Sequence, residues 1–200
     1  MKRSIGIYPG TFDPVHRGHV AFAAETARML SLDEVIFLPE PKPRRKTNVT
    51  DLSHRTALIA AATAENARLG VVNLTSDQFT VPETLAEIRQ AFGDVYLTML
   101  IGSDVARFLQ SWDALDSLLK EVSLAIGVRA GDSAQDIAAI MDEIARNSGV
   151  PVRYQLITAR GAGVSSSQIR RGLAGESHVH PSVAGYIKKH QLYVPNKDGD

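Results

Sequence analysis

Short runs of β-branched and aliphatic residues alternate with helical patterns from one end of this chain to the other. No other feature of the sequence restricts the fold as much. Strand-like runs stand at 5–8, 35–38, 71–74, 95–101, 122–128 and 152–157. Helical patterns lie between them at 18–30, 53–68, 83–91 and 134–146, with a less regular pair of turns at 104–119. In 134–146 the period is plain, because Ile137, Ile140, Met141 and Ile144 share one stripe. Pro82, read as a first helical position, followed by Glu83, is a helix start signal. Two short helices at 165–173 and 181–190 follow the last run, ahead of a polar tail at 195–200. Such alternation implies an α/β fold, a mainly parallel sheet with helices on both faces, since right-handed crossovers leave few other solutions. Ligands of such sheets gather beyond the carboxyl ends of the strands.

No repeat, low-complexity tract or linker interrupts the pattern, so one domain over 1–200 is expected. The stretch 40–47 looks linker-like but follows the second strand, at the same end of the sheet as the first loop. A hydrophobic content of 44% suffices for a sizeable core. Twenty-two basic residues balance 22 acidic ones, so no charged surface advertises nucleic acid or a cationic partner. The absence of cysteine excludes disulfides, thiolate metal sites and a cysteine nucleophile. Met1-Lys2-Arg3 leads into a short strand rather than a signal-peptide core, and no apolar run approaches the ~18 residues that cross a bilayer. A soluble cytoplasmic protein without a membrane partner is expected; the sequence carries no signal of oligomeric state.

The chemistry concentrates in Gly10-Thr11-Phe12-Asp13-Pro14-Val15-His16-Arg17-Gly18-His19, directly after the first strand. Pro9-Gly10 breaks the strand, and Asp13-Pro14 is a turn pair because proline biases its predecessor away from helix. From Gly18 a stripe of Val20, Ala23, Ala24, Ala27 and Leu30 marks a helix. Gly18 and His19 therefore sit near a helix N-terminus, where free N–H groups and the positive dipole end favour an anion such as phosphate. A His-x-x-His pair also reads as part of a metal site or as caps of a plain turn, but no third ligand of metal spacing accompanies it.

A second cluster is Val164-Ser165-Ser166-Ser167-Gln168-Ile169-Arg170, preceded by Gly161 and Gly163. Serine is a preferred N-cap, and three hydroxyls with free N–H groups can donate to phosphate oxygens, with Arg170 one turn on as a charged fork. An ordinary capped helix with Arg170 in solvent is the plainer reading. His178 and His180 read as surface residues, His54 as decoration of a first helical turn, and His190 as a residue near a helix C-terminus.

The 10–19 string resembles the signature of the adenylyltransferase group of the nucleotidyltransferase superfamily, Gly-(Thr or Ser)-Phe-Asp-Pro followed by (His or Thr)-x-Gly-His. The second cluster resembles that superfamily's Ile-Ser-Ser-Thr-x-Ile-Arg motif. Gly102-Ser103-Asp104 and Trp112 resemble its Gly-(Ala or Ser)-Asp and downstream Trp, and Pro181, Val183, Tyr186-Ile187 and Leu192-Tyr193 its C-terminal pattern. The likeness runs from about residue 4 to 194 and is strongest to the bacterial nicotinate-nucleotide adenylyltransferases. It implies a Rossmann-like fold and adenylyl transfer from ATP to nicotinate or nicotinamide mononucleotide, giving a dinucleotide and pyrophosphate.

The resemblance implies catalytic roles for His16, His19, Lys46 and Arg170. It implies ATP contacts by Gly10, Thr11, Phe12, Gly18, Gly102, Asp104, Ser165, Ser166 and Ser167, and acceptor contacts by Thr80, Thr84 and Trp112. Mg2+ would be held mainly by the ATP phosphates and water, with no dedicated protein metal site. Trp112 reads equally as core packing, and the basic run as a solvated loop. Two segments depart from the family strings. Pro43-Arg44-Arg45-Lys46 stands for Pro-Pro-His-Lys, so only Lys46 carries over. Gln78-Phe79-Thr80-Val81-Pro82-Glu83-Thr84-Leu85 stands for Ser-Tyr-Thr-x-x-Thr-Leu, which bears on the acceptor. The segment 8–14 also resembles the opening of pantetheine-phosphate adenylyltransferases, which carry Thr in place of His16 and lack the Ile-Arg ending. A nucleotide-sensing regulatory protein is the reading outside the enzymes.

Overall fold

A computed structural model describes residues 2–44, 46–129, 131–158, 165–172 and 175–194. Six strands form one sheet in the order β3-β2-β1-β4-β5-β6, and every neighbouring pair is parallel. They are β1 (Ser4–Gly10), β2 (Glu34–Pro39), β3 (Leu69–Val71), β4 (Tyr96–Gly102), β5 (Val122–Gly127) and β6 (Tyr154–Ile157). The connecting helices are α1 (Arg17–Met29), α2 (Leu52–Thr63), α3 (Val81–Phe92), α4 (Ser103–Ala106), α5 (Leu115–Glu121) and α6 (Ala134–Ser148). After β6 come α7 (Ser166–Arg170) and α8 (Pro181–Lys189). The α/β expectation holds, and the sheet is wholly rather than mainly parallel.

The strands are buried on both faces, so their sequences read as continuous apolar runs. Alternate residues feed different cores. Leu97, Met99 and Ile101 of β4, with Ile36 and Leu38 of β2, pack with buried residues of α3, α5 and α6. Leu100, with Val35 and Phe37, packs on the opposite face with residues of α1, α2 and α8. Each fully buried aliphatic or phenyl group of this kind contributes roughly 1.5–3 kcal/mol.

Boundaries differ from expectation where side chains intervene. The third strand lies at Leu69–Val71 rather than 71–74, because pairing with β2 sets Val35 opposite Leu69. Leu74 is still buried, beyond the strand's end. The helix expected over 53–68 ends at Thr63, where Asn66 N–H donates to the Thr63 carbonyl and the Asn66 side chain accepts from Arg68 N–H. Asparagine competes with the helix ladder in this way. The α3 helix begins at Val81, capped by Thr80, and Pro82 is its second residue rather than its first. Among the described residues no helix is long and apolar enough to cross a membrane.

The chain leaves β1 toward β2 and β3 on one side, and returns to β4, β5 and β6 on the other. Direction therefore reverses between β1 and β4, and a crevice opens beyond their carboxyl ends.

Candidate active site

The loop after β1 is built around a ring that folds backward. Phe12 adopts a left-handed φ of 51°, and its ring packs edge-on to Tyr8, Phe37 and His19 at 5.1–5.2 Å. A side chain on Gly10 would meet that ring at 2.9 Å, so only glycine fits beneath it. Phe12 is buried, and its aromatic face is spent on packing.

His16 is the N-cap of α1, with Gly18 in the helix's first turn. His16 N–H donates to His19 Nδ1 at 3.2 Å, and the two rings stack at 3.6 Å. Since Nδ1 of His19 accepts, a neutral His19 carries its proton on Nε2 and can donate it outward. Burial lowers the His16 pKa to about 4, aided by Arg129 and His178, and holds His19 well below the ordinary imidazole value, aided by His16, Arg129 and Lys46. His16 is only 7% exposed, and its Nδ1 has no hydrogen-bond partner. Two neutral imidazoles, one with an orphaned buried nitrogen, line the crevice.

Lys46 reaches back to this loop, its Nζ donating to Thr11 Oγ1 at 2.8 Å. Partial burial and the Arg170 guanidinium lower its pKa. The second cluster closes on the same loop from the other side. Ser165 caps α7 in a reciprocal box with Gln168, Ser166 Oγ donates to the Pro14 carbonyl at 2.9 Å, and Arg170 Nη1 donates to the Asp13 carbonyl at 2.5 Å. Arg170 Nη2 reaches Ser167 Oγ at 3.3 Å. The two sequence clusters, 157 positions apart at the Arg170–Asp13 contact, thus share one cradle of imidazole, ammonium, guanidinium and hydroxyl groups. Such a donor set suits phosphate oxygens. Gly161, Gly163 and Val164 lie outside the described residues, as do Arg45 and the tail at 195–200.

Gly102 and Asp104 stand at the end of β4. A side chain on Gly102 would collide with the Asp104 carboxylate, which pairs with Arg129 Nη2 at 2.9 Å. The remaining positions gather on the other flank. Trp112 is half-buried and tilts against Phe79 with ring centroids 5.7 Å apart. Thr80 Oγ1 donates to the Glu83 carboxylate at 2.8 Å while capping α3. Thr84 is 0% exposed, and its hydroxyl is unpartnered.

Several residues escaped the sequence reading. Arg129 follows β5, and its charge acts on both histidines and Tyr8. Asp13, read as a turn residue, is 3% exposed and accepts from the Tyr193 hydroxyl at 2.7 Å. Arg55 is 1% exposed and donates to the carbonyls of Thr50, Thr11 and Pro41 at 2.7, 2.9 and 3.2 Å. It ties together three segments that border the crevice. His178, expected at the surface, is half-buried with its charge felt at His16. His180 caps α8 and lies 3.7 Å from the Glu65 carboxylate. His54 contacts the Tyr186 hydroxyl at 3.1 Å.

A doubly wound parallel sheet with imidazole, cationic and hydroxyl donors at its switch point is an architecture suited to a nucleotidyltransferase. The chain matches the cytidylyltransferase-like family over residues 7–172, and it belongs to that family. Within the family it aligns end to end with nicotinate-nucleotide adenylyltransferases. It is 34% identical over 200 residues to the protein named "Probable nicotinate-nucleotide adenylyltransferase" of Neisseria meningitidis serogroup B, covering 96% of this chain and 99% of that one. The protein of the same name from Clavibacter michiganensis is 32% identical, covering 94% and 93%. The fold matches that of a Plasmodium falciparum nicotinic acid mononucleotide adenylyltransferase complexed with NaAD, with a TM-score of 0.77, 21% identity and coverage of 96% and 97%.

Proposed function

We propose that this protein transfers the adenylyl group of ATP to nicotinate mononucleotide, forming the dinucleotide and pyrophosphate in NAD biosynthesis. The observation that carries this reading is the direct hydrogen bonding of the 10–19 loop to α7, which joins two phosphate-binding strings around one crevice. End-to-end identity with named nicotinate-nucleotide adenylyltransferases supports the choice of reaction.

In the reaction an oxygen of the acceptor's phosphate forms a bond to the α-phosphorus of ATP. The bond from that phosphorus to the α–β bridging oxygen breaks, and pyrophosphate leaves with the electron pair. The nucleophile is already an anion, so neither a strong general base nor a covalent intermediate is required. Alignment and charge stabilisation carry the rate. Neutral His19 donates from Nε2 to the α- and β-phosphate oxygens, with His16 beside it. Lys46 and Arg170 neutralise the leaving pyrophosphate, and Ser165, Ser166 and Ser167 hold its terminal oxygens.

Gly10, Thr11 and Phe12 contribute through the loop backbone, and Gly18 through the first turn of α1. Gly102, Asp104 and Arg129 border the nucleoside side. Trp112 with Phe79 forms a shelf for the acceptor's ring, and Thr80 and Thr84 set the start of α3 next to it. Among the described residues no three His, Asp or Glu side chains gather to hold a metal, and the cradle's own donors are cations and hydroxyls. Mg2+ bound to ATP phosphates and water fits that donor set, and it neutralises phosphate charge when bound. The whole chain acts as one domain in the cytoplasm.

Release of pyrophosphate from ATP with nicotinate mononucleotide, nicotinamide mononucleotide and phosphopantetheine as separate acceptors tests the reading. Efficient turnover with nicotinate mononucleotide is expected. A clear preference for phosphopantetheine, or no turnover with any acceptor, would overturn it.

A further inference from the structure

The two segments that depart from the family strings are bonded to each other, directly and through the residues just ahead of each. Lys42 N–H donates to the Asp77 carbonyl at 2.9 Å, and the Lys42 ammonium pairs with the Asp77 carboxylate. Two residues on, Arg44 Nε donates to Gln78 Oε1 at 3.2 Å. Gln78 adjoins Phe79, whose ring meets Trp112 and whose N–H donates to the Glu40 carboxylate. A guanidinium is thereby tethered to the residue that precedes Phe79 of the aromatic pair.

Arginine offers five N–H donors in a planar fork that matches the two oxygens of a carboxylate. Gln78 occupies only Nε. Nη1 and Nη2 make no hydrogen bond among the described residues, and Arg44 is exposed. Glu40, the carboxylate whose charge Arg44 feels, is shared with Lys46 and Arg55 and is engaged by Phe79 N–H. The free end of the fork is left for an anion from outside.

We propose that Arg44, oriented by Gln78, pairs with the ring carboxylate of the acceptor and sets the preference for the acidic pyridine nucleotide over its amide. This rests on the pyridine-nucleotide reading of the acceptor given above. A carboxylate accepts both Nη donors with full charge assistance. An amide offers one neutral oxygen and presents its own N–H donors to the remaining ones, which costs affinity. Gln78 is a positioning residue in this scheme, because it fixes the guanidinium plane and touches no substrate.

The test is steady-state kcat/KM for nicotinate and nicotinamide mononucleotides with wild type, Arg44→Gln, Arg44→Lys and Gln78→Ala, with KM for ATP measured in parallel. Wild type should favour the nicotinate compound. In Arg44→Gln the nicotinate-to-nicotinamide ratio should fall roughly ten- to a hundredfold, the size of a lost charge-assisted contact, mainly through KM for the nicotinate compound. Arg44→Lys keeps the charge without the fork and should retain part of the ratio. Gln78→Ala should lower the ratio severalfold with the charge intact. An unchanged ratio in Arg44→Gln overturns the proposal. A raised KM for ATP with an unchanged ratio also overturns it and assigns Arg44 to the triphosphate. A wild type that uses neither pyridine nucleotide removes the acceptor reading itself, an outcome distinct from an unchanged ratio in a working enzyme.

Discussion

Arg55→Met removes one cation and tests whether the site's loops depend on it. The guanidinium is 1% exposed and donates to carbonyls of three separate segments, Thr11 after β1, Pro41 after β2 and Thr50 before α2. Methionine fills much of the same volume, so the main loss is electrostatic rather than a cavity. Three carbonyls lose a charged donor, and the nearby Asp13 carboxylate, 4% exposed, loses part of its compensation. Removing one partner of a buried charged network costs about 3–5 kcal/mol. For a chain of this size each kcal/mol lowers the melting midpoint by about 2–4 °C, giving a fall of roughly 6–20 °C. Arg55→Lys should not restore it, because one ammonium cannot span three carbonyls in a plane.

Urea denaturation gives the free energy directly, and KM for ATP reports the site. Since the Thr11 backbone is released in the variant and Thr11 Oγ1 holds Lys46, KM for ATP should rise along with the loss of stability. A change below ~1 kcal/mol, the net size of one neutral hydrogen bond, would refute the reasoning. So would a full stability loss with unchanged KM for ATP in the folded fraction, because the site's geometry would then not depend on Arg55.

Other outcomes follow from the same geometry. His19→Ala should keep the fold, with some stability lost because the His16 N–H and ring lose their partner, and lose roughly 10²–10³-fold in turnover, the usual cost of one preorganised transition-state donor; near-normal turnover in the folded variant removes His19 from the mechanism. Arg170→Ala should weaken ATP more than AMP, by about 1.5–3 kcal/mol and toward the lower figure, because its side chain is 36% exposed. Calorimetry showing equal weakening of both nucleotides contradicts its place at the outer phosphates. His16 titrates near 6.5 when unfolded and about 4 when folded, so the unfolded chain binds more protons between those values. The stability conferred by a neutral ring is complete above pH 6.5 and is lost as pH falls through 4, up to ~3 kcal/mol. Unfolding midpoints between pH 7 and 4 should therefore fall less steeply for His16→Asn than for wild type, and identical slopes would assign the acid sensitivity elsewhere.

The legible parts of this protein are those whose physics is local in sequence. A strand followed by Gly10 and a histidine-bearing helix start is a short-range pattern, and so is a serine cap with an arginine one turn on. Both were found, along with the α/β class that follows from alternation. Arg55 was missed although its position carries a signal. It shares the buried side of α2 with Leu58 and Ile59, so a charge stands where the i, i+3, i+4 stripe calls for an apolar residue. Arg129 could have been suspected from its place just past a central strand, where ligands gather. Asp13 was readable only as a turn, because its partners Tyr193 and Arg170 arrive from the far end of the chain.

The departures at 43–46 and 78–85 looked like two unrelated divergences in the sequence. In the folded chain Lys42 meets Asp77 and Arg44 meets Gln78, each pair 35 or 34 positions apart. A single-sequence reading has no means of pairing them, since 43–46 lies in a loop and the contact from 78–85 is made by Gln78, ahead of the start of α3 at Val81. Bonded together, they form one connected stretch at the crevice's rim, and Lys46 at its end reaches the loop after β1 through Thr11. The cradle that resembles the family most is held by contacts with backbone carbonyls, Ser166 on Pro14, Arg170 on Asp13 and Arg55 on Thr11. The 42–44 and 77–78 stretches are joined by one backbone bond, Lys42 N–H to the Asp77 carbonyl, and by two side-chain pairs, Lys42–Asp77 and Arg44–Gln78. Contacts to carbonyls constrain where a loop's backbone runs, whichever side chains the loop carries. Contacts between exposed side chains let identity vary in pairs, so Lys42–Asp77 and Arg44–Gln78 can change together while the carbonyl contacts at Asp77, Pro14, Asp13 and Thr11 keep the loops in place.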